Sequence, residues 1–193
     1  YGLSRVATKL ISFILIPLYT AKFSSDAIAD LNLLESFWQY LFTICMFAFE
    51  TAIINFCASE NNLKKRNSIL FNFFFLTLIN AAVFYAISLS FSGNFSEMIL
   101  GENNSRVISY CFLISIFESL LIMPMTIARL NSKPILYTVI TLSNLFINLG
   151  LQLYFILGIN EGFESVFFSK WIAPAVVFII FIPYLIKNLS IDI

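Results

Sequence analysis

The sequence predicts an all-α polytopic membrane protein, a six-transmembrane-helix bundle forming one domain over residues 1–193. Three observations carry that expectation. Of the residues, 60% are hydrophobic and only 11% charged, with a mean hydropathy of +0.90, whereas an ordinary soluble domain carries roughly 25% charged residues. Six stretches reach the roughly 20 mostly apolar residues that a helix needs to cross the hydrocarbon core. Runs such as "LFNFFFLTLI" and "AVVFIIFI" lack the in–out alternation of a transmembrane barrel strand.

The spans are read at about 2–21, 34–57, 68–91, 106–128, 135–157 and 164–186. The first contains Arg5 and Lys9. A signal peptide has the same basic-then-apolar order, but Pro17 interrupts the apolar part and no small-x-small cleavage site follows. The second span holds Glu50 in the run "ICMFAFETAIINFC", with no Lys or Arg within nine positions. The third has only Asn72, Thr77 and Asn80, poorly aligned, and the fourth carries Glu118. The fifth is rich in Asn and Thr, and the sixth has little beyond Lys170. Beside Trp171, that lysine is expected to snorkel to the interface.

Polar breaks separate the spans: "KFSSDAIAD", "SENNLKKRN", "SGNFSEMILGENNSR", "RLNSKP" and "INEGFE". None is long enough for a second domain. With the N-terminus inside, the cytoplasmic side holds Arg5, Lys9, Lys64, Lys65, Arg66, Arg129, Lys133 and Lys187. The other side holds only Lys22, Arg106 and Lys170, so the positive-inside rule places both ends of the segment in the cytoplasm.

Composition also excludes. Net charge is zero and no basic tail or long Lys/Arg block is present, so a nucleic-acid partner is not expected. Without histidine, His-based triads and most zinc sites fall away. No catalytic constellation, metal site or cofactor is expected, and the chain is read as a non-enzyme. Cys45, Cys57 and Cys111 lie in apolar runs without CxxC spacing, which predicts buried thiols.

Residues seven apart lie on nearly one helix face, so Ser36, Thr43, Glu50 and Cys57, with Gln39 alongside, form a polar stripe. Arg5, Thr8, Lys9, Ser12 and Tyr19 share a face of the first span. Tyr137, Thr141, Asn144, Asn148 and Gln152 share one in the fifth, and Cys111, Ser115, Glu118 and Arg129 one in the fourth. Polar faces turn from lipid toward protein or water. Ser, Thr and Asn can be interhelical glue at about 0.6 kcal/mol each, but a charge costs about 2.5–3.5 kcal/mol at mid-helix on insertion scales. Lys9 and Glu50 fall at similar depth, which predicts an ion pair of Glu50 with Lys9 or Arg5. Such a pair either fixes packing or belongs to a cavity that receives an anion. Arg129 and Lys133 are read as the basic flank of their loop.

The stretch "GLSRVATKLISFILIPLYTAKFSSDAIADLNLLES" resembles the opening of the polysaccharide transporter and O-antigen flippase (Wzx-like) family of the MOP exporter superfamily. The acidic second helix with "FETAIINFCAS", the "KKR" loop and "IARLNSKPILYTVITLSNLFINLGLQLYFI" match in order and spacing. "SRV" is also similar to the related lipid II flippases, which puts Arg5 forward as a phosphate contact. The resemblance covers the first half of such a transporter, so the chain is expected to be one lobe of a longer protein. It implies a bacterial inner-membrane exporter of a polyprenyl-pyrophosphate-linked oligosaccharide for lipopolysaccharide assembly, with H+ or Na+ as coupling ion and membrane lipids as neighbours. The candidate cavity residues are Arg5, Lys9, Glu50, Glu118, Asn144, Asn148 and Gln152. A multidrug or cation antiporter of the same superfamily, a membrane polymerase or acyltransferase, and a non-transport subunit of polysaccharide assembly stay open beside it.

Overall fold

The computed structural model describes residues 15–60, 62–159 and 162–189. Helix α1 is seen over 15–22. It is followed by α2 (Ser25–Met46), α3 (Phe49–Ala58), α4 (Leu63–Leu100), α5 (Ser105–Leu130), α6 (Pro134–Leu153), a π-helical turn Tyr154–Ile159 and α7 (Glu164–Asn188). No strand occurs among the described residues, and the protein is an all-α polytopic bundle. Five helical stretches are long and apolar enough to cross a membrane: Ser25–Ala58, Leu63–Leu100, Ser105–Leu130, Pro134–Ile159 and Glu164–Asn188. Most of the first expected span, 2–21, lies outside the described residues.

Two helices are longer than the apolar runs that signalled them. Ser24 caps α2 by accepting from the Ala27 backbone N–H at 3.3 Å, and Asp26 follows in the first turn. The "KFSSDAIAD" break is therefore a helix start, with an anion near the positive end of the dipole. Helix α4 runs through "SGNFSEMIL", the first part of an expected polar break, and stops at Gly101. Gly93 costs a helix interior about 1 kcal/mol without ending it, whereas Gly101 adopts φ +70°, the left-handed cap that glycine enters without penalty. What remains of that break is the four-residue turn 101–104.

The second span departs from its reading in the opposite way. Phe47 and Ala48 both take positive φ, 45° and 55°, and divide it into α2 and α3. Neither glycine nor proline marks the break. It leaves carbonyls of the last turn of α2 without helical donors, and the Asn80 side-chain amide of α4 donates to one of them, on Cys45. Phe73 of α4 packs its ring on Phe49 and Phe56 of α3, at 6.0 and 6.1 Å, holding the redirected segment.

Helix α5 is the axis of the bundle. Of its apolar window 72% is buried inside the protein, against 22% for Ser25–Ala58 and for Leu63–Leu100. Helices α2, α4 and α7 make their most extensive packing contacts with it, around Val107, Ile108, Phe112, Ile114, Met123 and Ile127. Both ends are tied. At one, the Asn104 backbone N–H donates to Ser96, and its amide donates to Glu164 of α7. At the other, Arg66 of α4 donates to Asn131, which donates to Asn188 of α7. The three cysteines are free and buried, as their apolar settings predict.

Candidate functional site

The interior charges fall into two groups. Lys170 lies six residues into α7, about 9 Å along the axis at 1.5 Å per residue. Its ammonium donates to the Glu35 carboxylate of α2. The ion is also set 5.5 Å from the Phe167 ring and 5.9 Å from the Trp38 ring. With 17% of its side chain exposed, Lys170 is packed inside the bundle rather than snorkelling. The snorkelling expectation fails because Glu35, on a different helix, supplies a counter-ion, and aromatic faces attract the cation from the side.

The field of Lys170 also reaches Glu118 on the central helix. Glu118 is half-buried and makes no hydrogen bond or ion pair among the described residues. Lys170 therefore has two carboxylates within electrostatic range, one bound and one open. Tyr19 of α1 lies within electrostatic range of Glu35. The Tyr19 hydroxyl donates to the side-chain carbonyl of Gln152, and the Gln152 amide donates to Asn148 at 2.9 Å. Gln152 is fully buried and Asn148 half-buried. Asn144, one turn earlier, has its side-chain oxygen buried with no hydrogen-bond partner, an acceptor that costs stability unless a donor reaches it.

The second group lies at the helix break. Glu50, in the first turn of α3, accepts from Arg129 in the last turn of α5. The pair expected from sequence joined Glu50 to Lys9 or Arg5, with Arg129 as loop flank. Instead Arg129 extends back onto α3, because the break at Phe47 and Ala48 turns Glu50 toward the end of α5. Arg5 and Lys9 lie outside the described residues. Both side chains of the Glu50–Arg129 pair are about one-third exposed, 35% and 36%.

The break also divides the seven-residue polar stripe. Ser36, Gln39 and Thr43 are exposed on α2, Glu50 is half-buried on α3, and Cys57 is buried. Ser36 and Thr43 hydrogen-bond the carbonyls four residues back, so they present little to a neighbouring helix. In α5, Ser115 donates to the carbonyl of Cys111 and lies 3.3 Å from that of Trp38, joining α5 to α2. This is the interhelical bonding anticipated for an isolated serine.

Glu35 and the inward Lys170 are the residues that sequence reading missed. Glu35 is one residue into the expected second span, and a terminal acid reads as interfacial. The available signal was Lys170, a cation a turn and a half inside an otherwise apolar helix. Comparisons with protein-family models, with curated proteins and with solved structures find no match to this chain.

Proposed function

We propose that this chain is one lobe of a membrane exporter that moves a polyprenyl-pyrophosphate-linked oligosaccharide across a bacterial inner membrane by alternating access. The sequence resemblance to the O-antigen flippase family supports this reading. The observation that carries it is the placement of ionisable and amide side chains inside apolar spans: Glu35, Lys170 and Glu118 with Asn144 and Asn148. A cation bound to one carboxyl group with a second in electrostatic range can exchange partners without leaving the bundle, which suits a transporter with two conformations. Half-buried amides offer the donors and acceptors that sugar hydroxyls need. The exposed polar row Ser36, Gln39 and Thr43 on α2 suits a wet cavity shared with a second lobe.

In this reading no bond is made or broken. The protein supplies binding groups for the head of the substrate while its lipid tail stays in the bilayer. Arg5 and Lys9 are the proposed pyrophosphate contacts, since guanidinium grips phosphate bidentately. Glu50, paired with Arg129, orients that cation at the rim. The cytoplasmic placement of both chain ends and the coupling to H+ or Na+ belong to the same proposal.

Deletion of the gene in its host is the test. Surface polysaccharide is expected to be lost while lipid-linked oligosaccharide accumulates on the cytoplasmic side. Unchanged surface polysaccharide, or a defect confined to expulsion of cationic drugs, contradicts the proposal.

A further inference from the structure

At the end of the bundle where α5 and α7 begin lies a cavity of about 450 Å³. It is walled by Arg106, Tyr110, Phe155, Glu164, Ser165 and Phe168. Its volume falls among those of small-ligand sites, roughly 300–1,000 Å³. Its charges are the first notable feature. Arg106 and Glu164 line the same space, yet among the described residues neither joins the other in an ion pair. Arg106 is exposed. Glu164 is held by the Asn104 amide, which donates to one carboxylate oxygen at 2.6 Å, and the second oxygen keeps its acceptor capacity.

Rings line the space near these charges. Phe168 meets Tyr110 at 5.5 Å and Phe155 at 5.4 Å, in tilted and edge-on arrangements. Phe155 is carried by the π-helical turn Tyr154–Ile159, a rare backbone form that occurs frequently at functional sites. The cavity also sits at the ends of two apolar spans, the level at which aromatic side chains meet lipid head groups.

We propose that this cavity binds a zwitterionic head group, a phosphate diester with an ammonium tethered to it, as on a zwitterionic phospholipid. Arg106 takes the phosphate through charge-assisted hydrogen bonds. Glu164 and the ring faces of Tyr110, Phe155 and Phe168 take the ammonium, by ion pairing and cation–π attraction. A purely anionic ligand would meet the Glu164 carboxylate and a purely cationic one the Arg106 guanidinium. Only a dipolar ligand satisfies both. This site does not depend on the transport reading.

The test is lipid retention by the purified chain in mixed detergent micelles, read by native mass spectrometry. Phosphatidylethanolamine is offered against phosphatidylglycerol, with free phosphoethanolamine and inorganic phosphate as soluble competitors. Phosphatidylethanolamine is expected to be retained about tenfold better, a gap of one decade in affinity. Arg106→Ala should remove most of that retention. Glu164→Gln, which can still accept from Asn104, should abolish the preference while leaving phosphatidylglycerol bound. Displacement by phosphoethanolamine but not by phosphate would assign recognition to the dipolar head alone; displacement by neither would assign it to the head on its lipid. Equal or stronger retention of phosphatidylglycerol by the unaltered chain would overturn the proposal. So would retention untouched by both substitutions in protein of unchanged helical content.

Discussion

Glu35–Lys170 and Glu50–Arg129 each join a carboxylate to a cation across two helices, yet their surroundings differ. In the first the cation is the enclosed member: the Lys170 side chain is 17% exposed with aromatic rings on two sides, while Glu35 is 33% exposed. The second lies beside a broken helix, with both side chains about one-third exposed. In the enclosed pair Lys170 depends on Glu35, because removing the carboxylate strands a largely desolvated ammonium. In the open pair water can replace either partner. One chemical motif therefore serves as a packing constraint in one place and as an adjustable contact in the other.

The sharpest way to separate the two is to remove one ion from each. Glu35→Leu, which strands the Lys170 ammonium, is expected to destabilise the bundle by about 3 kcal/mol, measured by denaturant unfolding in detergent. Adding Lys170→Met should recover much of that loss, since a matched apolar pair can replace an enclosed ion pair. Recovery would show that the cost lay in the stranded charge and not in lost packing around Trp38.

A middle effect is expected where the backbone between the pairs is broken. Asn80→Leu removes the donor to the Cys45 carbonyl and should cost about 1–3 kcal/mol, the penalty of a buried acceptor left unsatisfied. Ala48→Gly should act in the opposite direction. Ala48 sits at φ 55°, a region that costs a non-glycine residue about 1–2 kcal/mol. After the added entropy of glycine in the unfolded chain, a net gain of about 0.5–1 kcal/mol is expected. Thermal melts of the two variants check both signs.

The smallest stability effect is expected at the open pair. Glu50→Gln should change unfolding free energy by no more than about 1 kcal/mol. Under the proposed function the same variant should still lower export of surface polysaccharide at normal membrane levels of protein. A large loss of folded protein would instead make this pair a static clamp, and the contrast with Glu35–Lys170 would disappear.

The parts of the molecule that were legible in sequence are those set by composition along one helix. Apolar runs of sufficient length marked the spans, and the apolar settings of Cys45, Cys57 and Cys111 marked buried thiols. Helix ends were less legible, because Ser24 as a cap and Gly93 inside α4 depend on which neighbours continue the helix. Partnerships were least legible. Glu50 reached Arg129 and not the first helix because Phe47 and Ala48 turn the chain without Gly or Pro to announce it. Lys170 found Glu35 only because α5 brings both α2 and α7 against itself. Such pairings are properties of helix neighbours, which residue spacing within one helix does not encode.

Double-mutant cycles run side by side, Glu35→Gln with Lys170→Met and Glu50→Gln with Arg129→Met, test the distinction between the two pairs most directly. Unfolding free energies in detergent are expected to yield a coupling above about 2 kcal/mol for the enclosed pair. The open pair should stay below about 1 kcal/mol. Equal couplings, or the larger value at Glu50–Arg129, would contradict the placement of Lys170 as the enclosed anchor of the bundle.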